Sequence, residues 1–449
     1  AQVQPQALFC ADLHDVNFVM VVTLLLDYFL FAFVIPASSL PVTATVTSRS
    51  KIQNLQQAED TKGDVDKELL HKVIEQWSTK KPRALVRTQG TEDRSPDSFL
   101  QRHQCQEEPS LQAAFRSLDV KRQGDKLTFT NIPSLLQENV GLVKVSISDQ
   151  VATLDIGNTD VPQFQHSKEA FGNLFLAQVN ALLDEVDLPD MDIVLSLLDG
   201  SPVPDGQVGI FRTEGKVGED LLTLPRSVLK LPDDKTVGSS ACAQRINKAV
   251  FRGATTGAQP ASASPAAFDA AERSSMRYFA ANLSKYRPDL LDAGFYDQGA
   301  VQSWAPFKEA LKNSGMIKSF LSYEDQQCYS TVLVIDGNSV PDRFAEQLLW
   351  GLPTVFMHSD APRYDEFWYP ELRPDVDFIS AKPGNLEMTL EALSNDPQRR
   401  AYVGRNGREY VQQHLTLDRL KCYMTKLLFE YGIRYQPSVW QVLEHEFVR

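Results

Sequence analysis

Cysteine and basic residues are both scarce, and each shortage argues against a class of function. Only five cysteines, Cys10, Cys105, Cys242, Cys328 and Cys422, occur in 449 residues, and none stands in a CxxC or CxxH spacing. That argues against a zinc site, which needs closely spaced soft ligands. The four cysteines beyond the first are enough for up to two disulfides in an oxidising compartment, or for buried thiols. No basic block offsets a net charge of −13, so nucleic acid is not the partner, because its phosphates would be repelled. No Lys or Arg precedes Arg49, which leaves the positive-inside rule without a handle on orientation. No internal repeat is present.

What the chain has is length enough for two core-bearing domains and a tail. Asn17 to Pro36 (NFVMVVTLLLDYFLFAFVIP) is one long apolar run, about the length of a membrane span. Its one charge, Asp27, costs roughly 2.5–3.5 kcal/mol near a helix centre, which the surrounding Leu, Phe and Val offset. The expectation is a retained anchor or a signal segment over residues 1–37; small residues after Pro36 would permit cleavage. Residues 38–110 read as a Ser/Thr/Gln-rich stem followed by a helix over Val65 to Trp77. The chain closes on His445-Glu446-Phe447-Val448-Arg449, without a KDEL-type signal.

From Leu127 the pattern becomes β. Val143 to Ile147 alternates, turns at Asp149-Gln150 and continues through Val151 to Ile156, a hairpin. Phe171 to Val186 is an amphipathic helix, and Ile193 to Leu198 a buried strand ending at Asp199-Gly200. An acid at the carboxyl end of a buried strand lies where open α/β sheets hold ligands, although on position alone a turn-capping Asp is the better reading. Asp190-Met191-Asp192 spells DxD but precedes its strand, so its carboxylates point away from that edge. Asp375-Val376-Asp377 reads as a polar turn.

The chain is organised around Cys328 to Pro374. Ser330 to Ile335 is a β-branched buried strand, and Asp336-Gly337-Asn338-Ser339 is a polar turn with exposed N–H groups. A helix runs from Pro341 to Gly351, carrying Arg343 in its first turn. Thr354 to Met357 is a second strand. Strand, Gly loop, helix, strand is the unit that offers a helix N-terminus to a phosphate. The cluster Asp365 to Leu372 (DEFWYPEL) sets aromatics beside carboxylates, which suits a sugar and, on composition alone, equally a surface loop with a hydrophobic anchor. His358, after the second strand, reads as a polar surface residue. Leu386 to Leu393 follows, then two helices, Pro397 to Leu415 and Leu417 to Tyr431.

Several short motifs, in this order, resemble glycosyltransferase family 90, the KDEL-motif or capsule-associated family that includes Rumi-type protein O-glucosyltransferases. They are Phe251-Arg252-Gly253, Asn282-Leu283-Ser284, Leu291-Asp292-Ala293, Asp336-Gly337, Arg343-Phe344, Leu348-Leu349, Gly351, Glu366-Phe367-Trp368-Tyr369-Pro370, Asn395-Asp396 and Cys422-Tyr423. With Leu188 to Asp199 upstream, the similarity runs from about Phe171 to Tyr435.

The resemblance implies an α/β, GT-B-like fold: two Rossmann-type domains facing across a cleft. The acceptor-side lobe would span residues 111–250, the nucleotide-sugar lobe 251–435 and a tail 436–449. It implies an inverting transferase moving glucose or xylose from a UDP-sugar to a hydroxyl of a protein or glycan, without a metal or other cofactor. Asp199 inherits the catalytic-base role, with Leu198 where relatives carry a polar or basic residue. Arg252, Arg277, Gly337, Asn338, Ser339, Arg343 and Glu366 inherit donor binding. Pro341 and Asp342 depart from the family's small residues, which leaves a non-catalytic binding or scaffold member as the alternative. The resemblance also implies the secretory pathway, in the Golgi or endoplasmic reticulum lumen, anchored through residues 17–36.

Overall fold

The computed structural model describes residues 19–26, 29–36, 69–73, 75–77, 93–124, 142–157, 162–196, 210–213, 221–229, 231, 242, 244–255, 275–296, 309, 311–337, 341–358 and 365–434. The apolar run does not form the expected membrane helix. Val19–Leu26 (β1) and Phe29–Pro36 (β2) pair as an antiparallel hairpin, in register from Val19↔Pro36 to Leu26↔Phe29. Composition accounts for this. Val, Ile, Phe and Thr favour a pleated strand, and in the sequence the charge of Asp27 separates apolar pieces of strand rather than membrane-helix length. Among the described residues no helix is long and apolar enough to cross a membrane.

The first half carries a mixed five-stranded sheet. Its two longest described helices are Pro109–Gly124 (α1) and Pro162–Leu183 (α2). Its strands are Leu142–Ser148 (β3), Val151–Asp155 (β4), Met191–Ser196 (β5), Ile210–Arg212 (β6) and Leu221–Leu222 (β7), in the order β4-β3-β5-β6-β7. β3 is antiparallel to β4 and β5, while β5, β6 and β7 are parallel. The expected hairpin is present: Asp149 and Gln150 take φ of 51° and 63°, the left-handed pair whose twist matches the strands of a two-residue turn. The helix expected from Phe171 begins nine residues earlier, at Pro162, because a proline is well suited to a first helical turn.

The second sheet is wholly parallel. Its strands are Ile246–Gly253 (β8), Leu291–Tyr296 (β9), Ile317–Lys318 (β10), Tyr329–Ile335 (β11), Thr354–Met357 (β12) and Ile379–Ala381 (β13), ordered β10-β9-β8-β11-β12-β13. Counted from β8 this is 3-2-1-4-5-6, the dinucleotide-fold order, which opens a crevice where the chain direction reverses. That switch point lies between the carboxyl ends of β8 and β11. Buried Val332 to Ile335 and Val355 to Met357 make the middle of the sheet apolar on both faces, as covered parallel strands require.

Four helices matter here: Met276–Tyr286 (α3), Phe344–Leu349 (α4), Pro397–His414 (α5) and Leu417–Arg434 (α6). α4 begins three residues later than expected from Pro341, with Arg343 as its cap residue, so six residues supply little dipole. Gly351, at φ +71°, closes that turn in the left-handed region, as a glycine just past a helix does. A Cβ on Gly404 of α5 would fall 2.3 Å from the Gly351 carbonyl oxygen; only glycine lets the helix touch the turn.

α6 returns to the first sheet. Tyr423 Oη donates to the Leu222 carbonyl at 2.6 Å, and Tyr431 Oη to that of Asp192 at 3.1 Å. Buried Lys421 donates to Glu185 Oε1 at 2.6 Å and to the Trp77 carbonyl at 3.2 Å. One apolar cluster joins Val179 and Leu195 of the first half to Val334, Phe344 and Tyr410 of the second. All four available cysteines pair, Cys105 with Cys422 and Cys242 with Cys328, each with Cα atoms 5.5 Å apart.

Candidate functional site

The switch point holds two guanidinium groups. Arg277, in the first turn of α3, spans the ends of both central strands. Its Nη1 donates to Ala254 O at 3.0 Å, Nε to Asp336 O at 3.1 Å and Nη2 to Ile335 O at 3.2 Å. Phe251 places its ring 5.8 Å from the guanidinium carbon. Arg343 donates Nη1 to Arg252 O at 2.6 Å, on the same edge. Burial and the nearby charge of Arg343 push Arg277 down to about 10, against the pull of Asp336 and Asp342. Two like charges held together by backbone carbonyls gain most from an anion that enters between them.

Arg252 is turned inward and is 4% exposed. Its guanidinium donates to Ser319 O, Phe251 O, Asp292 O and, at 2.9 Å, Asp292 Oδ2. Lys318 Nζ reaches Asp292 Oδ1 at 2.7 Å, and Tyr329 Oη reaches Oδ2 at 2.6 Å. Burial alone would raise the Asp292 carboxyl, but these three donors hold it well below the usual carboxylate range. Arg252 therefore meets the crevice through its carbonyl, which seats Arg343.

Glu366 is also internal. Its two oxygens accept from Ser227 Oγ at 2.9 and 2.8 Å, and one accepts from Trp368 Nε1 at 2.6 Å. Where sugar hydroxyls were expected, a serine of the short helix Arg226–Leu229 ties the first half to the second. Gly337 lies two residues past the end of β11, at the crevice. Asp199, Asn338 and Ser339 lie outside the described residues, Asp199 three positions beyond the end of β5.

Asp190 Oδ1 accepts from Asp149 N at 3.0 Å, and Asp192 Oδ1 from Ser146 Oγ at 2.5 Å, at the amino end of β5. Asp377 pairs with Arg373 and Asp375 with Arg399, both at 2.8 Å. Among the described residues no group of three or more His, Cys, Asp and Glu could hold a metal ion. His358, following β12, sets Nε2 2.7 Å from Ser380 Oγ. A cleft of ≈ 350 Å³ between α1 and α6, lined by Leu111, Phe115 and Phe429 among others, shares no residue with the crevice. Sequence reasoning missed Tyr296, Phe320 and Tyr323 near the same edge; only Tyr296 ends a strand and could have been flagged by that signal.

A parallel 3-2-1-4-5-6 sheet with paired arginines at its switch point has the frame of a nucleotide-binding α/β protein. The mixed first sheet beside it fits the α/β build of a glycosyltransferase. Residues 262–445 match the family model described as Glycosyl transferase family 90, and the resemblance read from the motifs holds there. The upstream Leu188 to Asp199 stretch lies outside that match. Over 152 residues the chain is 28% identical to protein O-glucosyltransferase 1 of Homo sapiens, covering 33% of this chain and 37% of that protein. Over 155 residues it is 29% identical to an O-glucosyltransferase rumi homolog of Aedes aegypti, covering 33% and 36%. The chain thus spans little more than a third of the length of these curated relatives.

Proposed function

We propose that this protein is an inverting glycosyltransferase, GT-B-like in the facing of its two halves, that moves glucose or xylose from a UDP-sugar to a hydroxyl on a protein or glycan acceptor. The observation that carries this is the pair Arg277 and Arg343, meeting at the switch point of the parallel sheet. The names of the relatives support a sugar donor and favour a protein acceptor. Asp199, following a buried strand of the first half, takes the proton from the acceptor hydroxyl as it attacks the anomeric carbon. Arg277, Arg343 and the N–H groups of Gly337 to Ser339 meet the charge that develops on the departing diphosphate. The guanidinium pair does this work without a metal. Arg252 positions Arg343 through its carbonyl, and Glu366 holds the aromatic cluster beside the site. Two disulfides fit an oxidising compartment, and with the relatives they support a place in the secretory pathway, in the lumen of the endoplasmic reticulum or Golgi.

Titrating the full chain with UDP, and following hydrolysis of UDP-glucose and UDP-xylose, tests this. Asp199→Asn should lower turnover by about 10²–10⁴-fold while UDP still binds; Arg343→Ala should weaken UDP itself. One feature favours a second reading, a binding protein without turnover: the charge of Asp342 acts on Arg277 and would repel a diphosphate. A wild type that binds UDP and never turns over selects that reading. A wild type that binds no UDP removes the donor site altogether.

A further inference from the structure

Beyond the arginines, the same edge of the sheet carries aromatic rings that nothing above uses. In the β8–β9 register Arg252 lies opposite Gly294 and Gly253 opposite Phe295. The next residue of β9, Tyr296, is therefore level with Ala254, whose carbonyl holds Arg277. Adjacent strands are about 4.8 Å apart, and the electrostatic influence of Tyr296 on Arg277 places it near the guanidinium pair. On its other side Tyr296 pairs with Lys318 of β10. Two residues further on, Phe320 brings its ring edge-on to Tyr296, with centroids 6.0 Å apart and planes at 88°. Phe320 is 61% exposed. Tyr323 stands edge-on to Trp350 and also lies near both Arg343 and Tyr296.

A cluster of rings at the carboxyl end of a parallel sheet, with Phe320 61% and Tyr323 39% exposed and Tyr296 beside them, marks a surface for a ligand to cover, as a single exposed ring would not. The charge beside this surface says which ligand: one with an anionic group for Arg277 and Arg343 and a flat apolar face one or two strand spacings away. A nucleoside diphosphate has both. The strand order places the phosphates at the β8–β11 crevice, and in such sheets the nucleoside half extends over the strands on one side of it. Here the side bearing aromatic residues is that of β9 and β10.

We infer that Tyr296 and Phe320 form the wall on which the base of a nucleoside diphosphate stacks, with its phosphates on Arg277 and Arg343. The inference rests on the donor reading above and adds the residues that select a nucleotide over a bare diphosphate. Stacking on an aromatic side chain tolerates any base, so this wall sets affinity, and other contacts choose among bases.

The test compares UDP with inorganic pyrophosphate by calorimetric titration of the full chain and of Phe320→Ala, Phe320→Leu, Tyr296→Ala and Arg343→Ala. Phe320 is exposed, so its variants should fold, which their melting temperatures verify. Phe320→Ala should weaken UDP by about five- to a hundredfold and leave pyrophosphate unchanged, with Phe320→Leu in between. Arg343→Ala should weaken both. UDP affinity untouched by the Phe320 and Tyr296 variants, while Arg343→Ala loses both ligands, overturns the stacking wall and leaves the anion site standing. Wild type binding neither ligand overturns the donor reading, and the wall with it.

Discussion

Asp292 shows what a single carboxylate does here. It accepts from Arg252, Lys318 and Tyr329, so it is the hub that ties β8, β10 and β11 to its own strand, β9. A carboxyl held below its unfolded value stabilises the fold above about pH 4 and loses that contribution as the pH falls. Asp292→Asn should therefore cost about 3 kcal/mol in urea unfolding at pH 7. The gap between wild type and variant should narrow as the pH drops below about 4, where the unfolded wild-type chain takes up a proton that the folded carboxylate does not. A gap of constant size across that range would show that the charge of Asp292 is not what stabilises the sheet. The same reasoning separates Arg252, whose guanidinium serves this hub, from Arg277 and Arg343, whose guanidiniums serve the crevice.

At the scale of elements, the central strands are pinned at their amino ends as well. Cys242 lies just ahead of β8 and Cys328 just ahead of β11, and Ile246 N donates to Cys328 O at 2.8 Å. Replacing both cysteines by serine should cost about 2–5 kcal/mol. Reductant should lower the melting temperature of the wild type further than that of the double variant, which retains only Cys105–Cys422. Equal shifts in the two would mean the Cys242–Cys328 bridge contributes nothing. Thr354 to Met357 and the two helices from Pro397 onward were legible in the sequence, because β-branched runs and helical spacing are local signals. The start of α4 was not: Pro341 suits a helix, yet the chain turns once more before Phe344. The apolar run misled for a related reason, since its length suggested a span while its β-branched and aromatic content favoured strands. Arg277 and Arg343 were legible through the motifs. The inward-facing roles of Arg252 and Glu366 were not, because Asp292, Lys318, Tyr329 and Ser227 are remote from them in sequence.

For the molecule as a whole, the seam between the halves carries its own titration. Glu108 sits at the start of α1, facing Glu371 from the second half and Arg419 and Lys426 of α6, with His414 lining the same cavity. Burial, then the charge of Glu371, push the Glu108 carboxyl up to about 7, with Arg419 and Lys426 opposing. An acid raised in the folded state holds protons that the unfolded chain has released. Stability therefore falls as the pH rises from about 4.5 to 7, and the penalty is complete above that. Glu108→Gln should be more stable than wild type at pH 8, with the advantage fading toward pH 5. An advantage of equal size at both pH values would locate the effect in packing.

The return of α6 to the first sheet has a consequence for biosynthesis. A nascent chain leaves the ribosome amino end first, so β3 to β7 emerge long before the helix whose Tyr423 and Tyr431 hydroxyls bond to them. Cys105 likewise waits 317 residues for Cys422. The half that is translated first is thus the half that finishes maturing last, and until residues 417–434 arrive its bare apolar face is a natural client for chaperones.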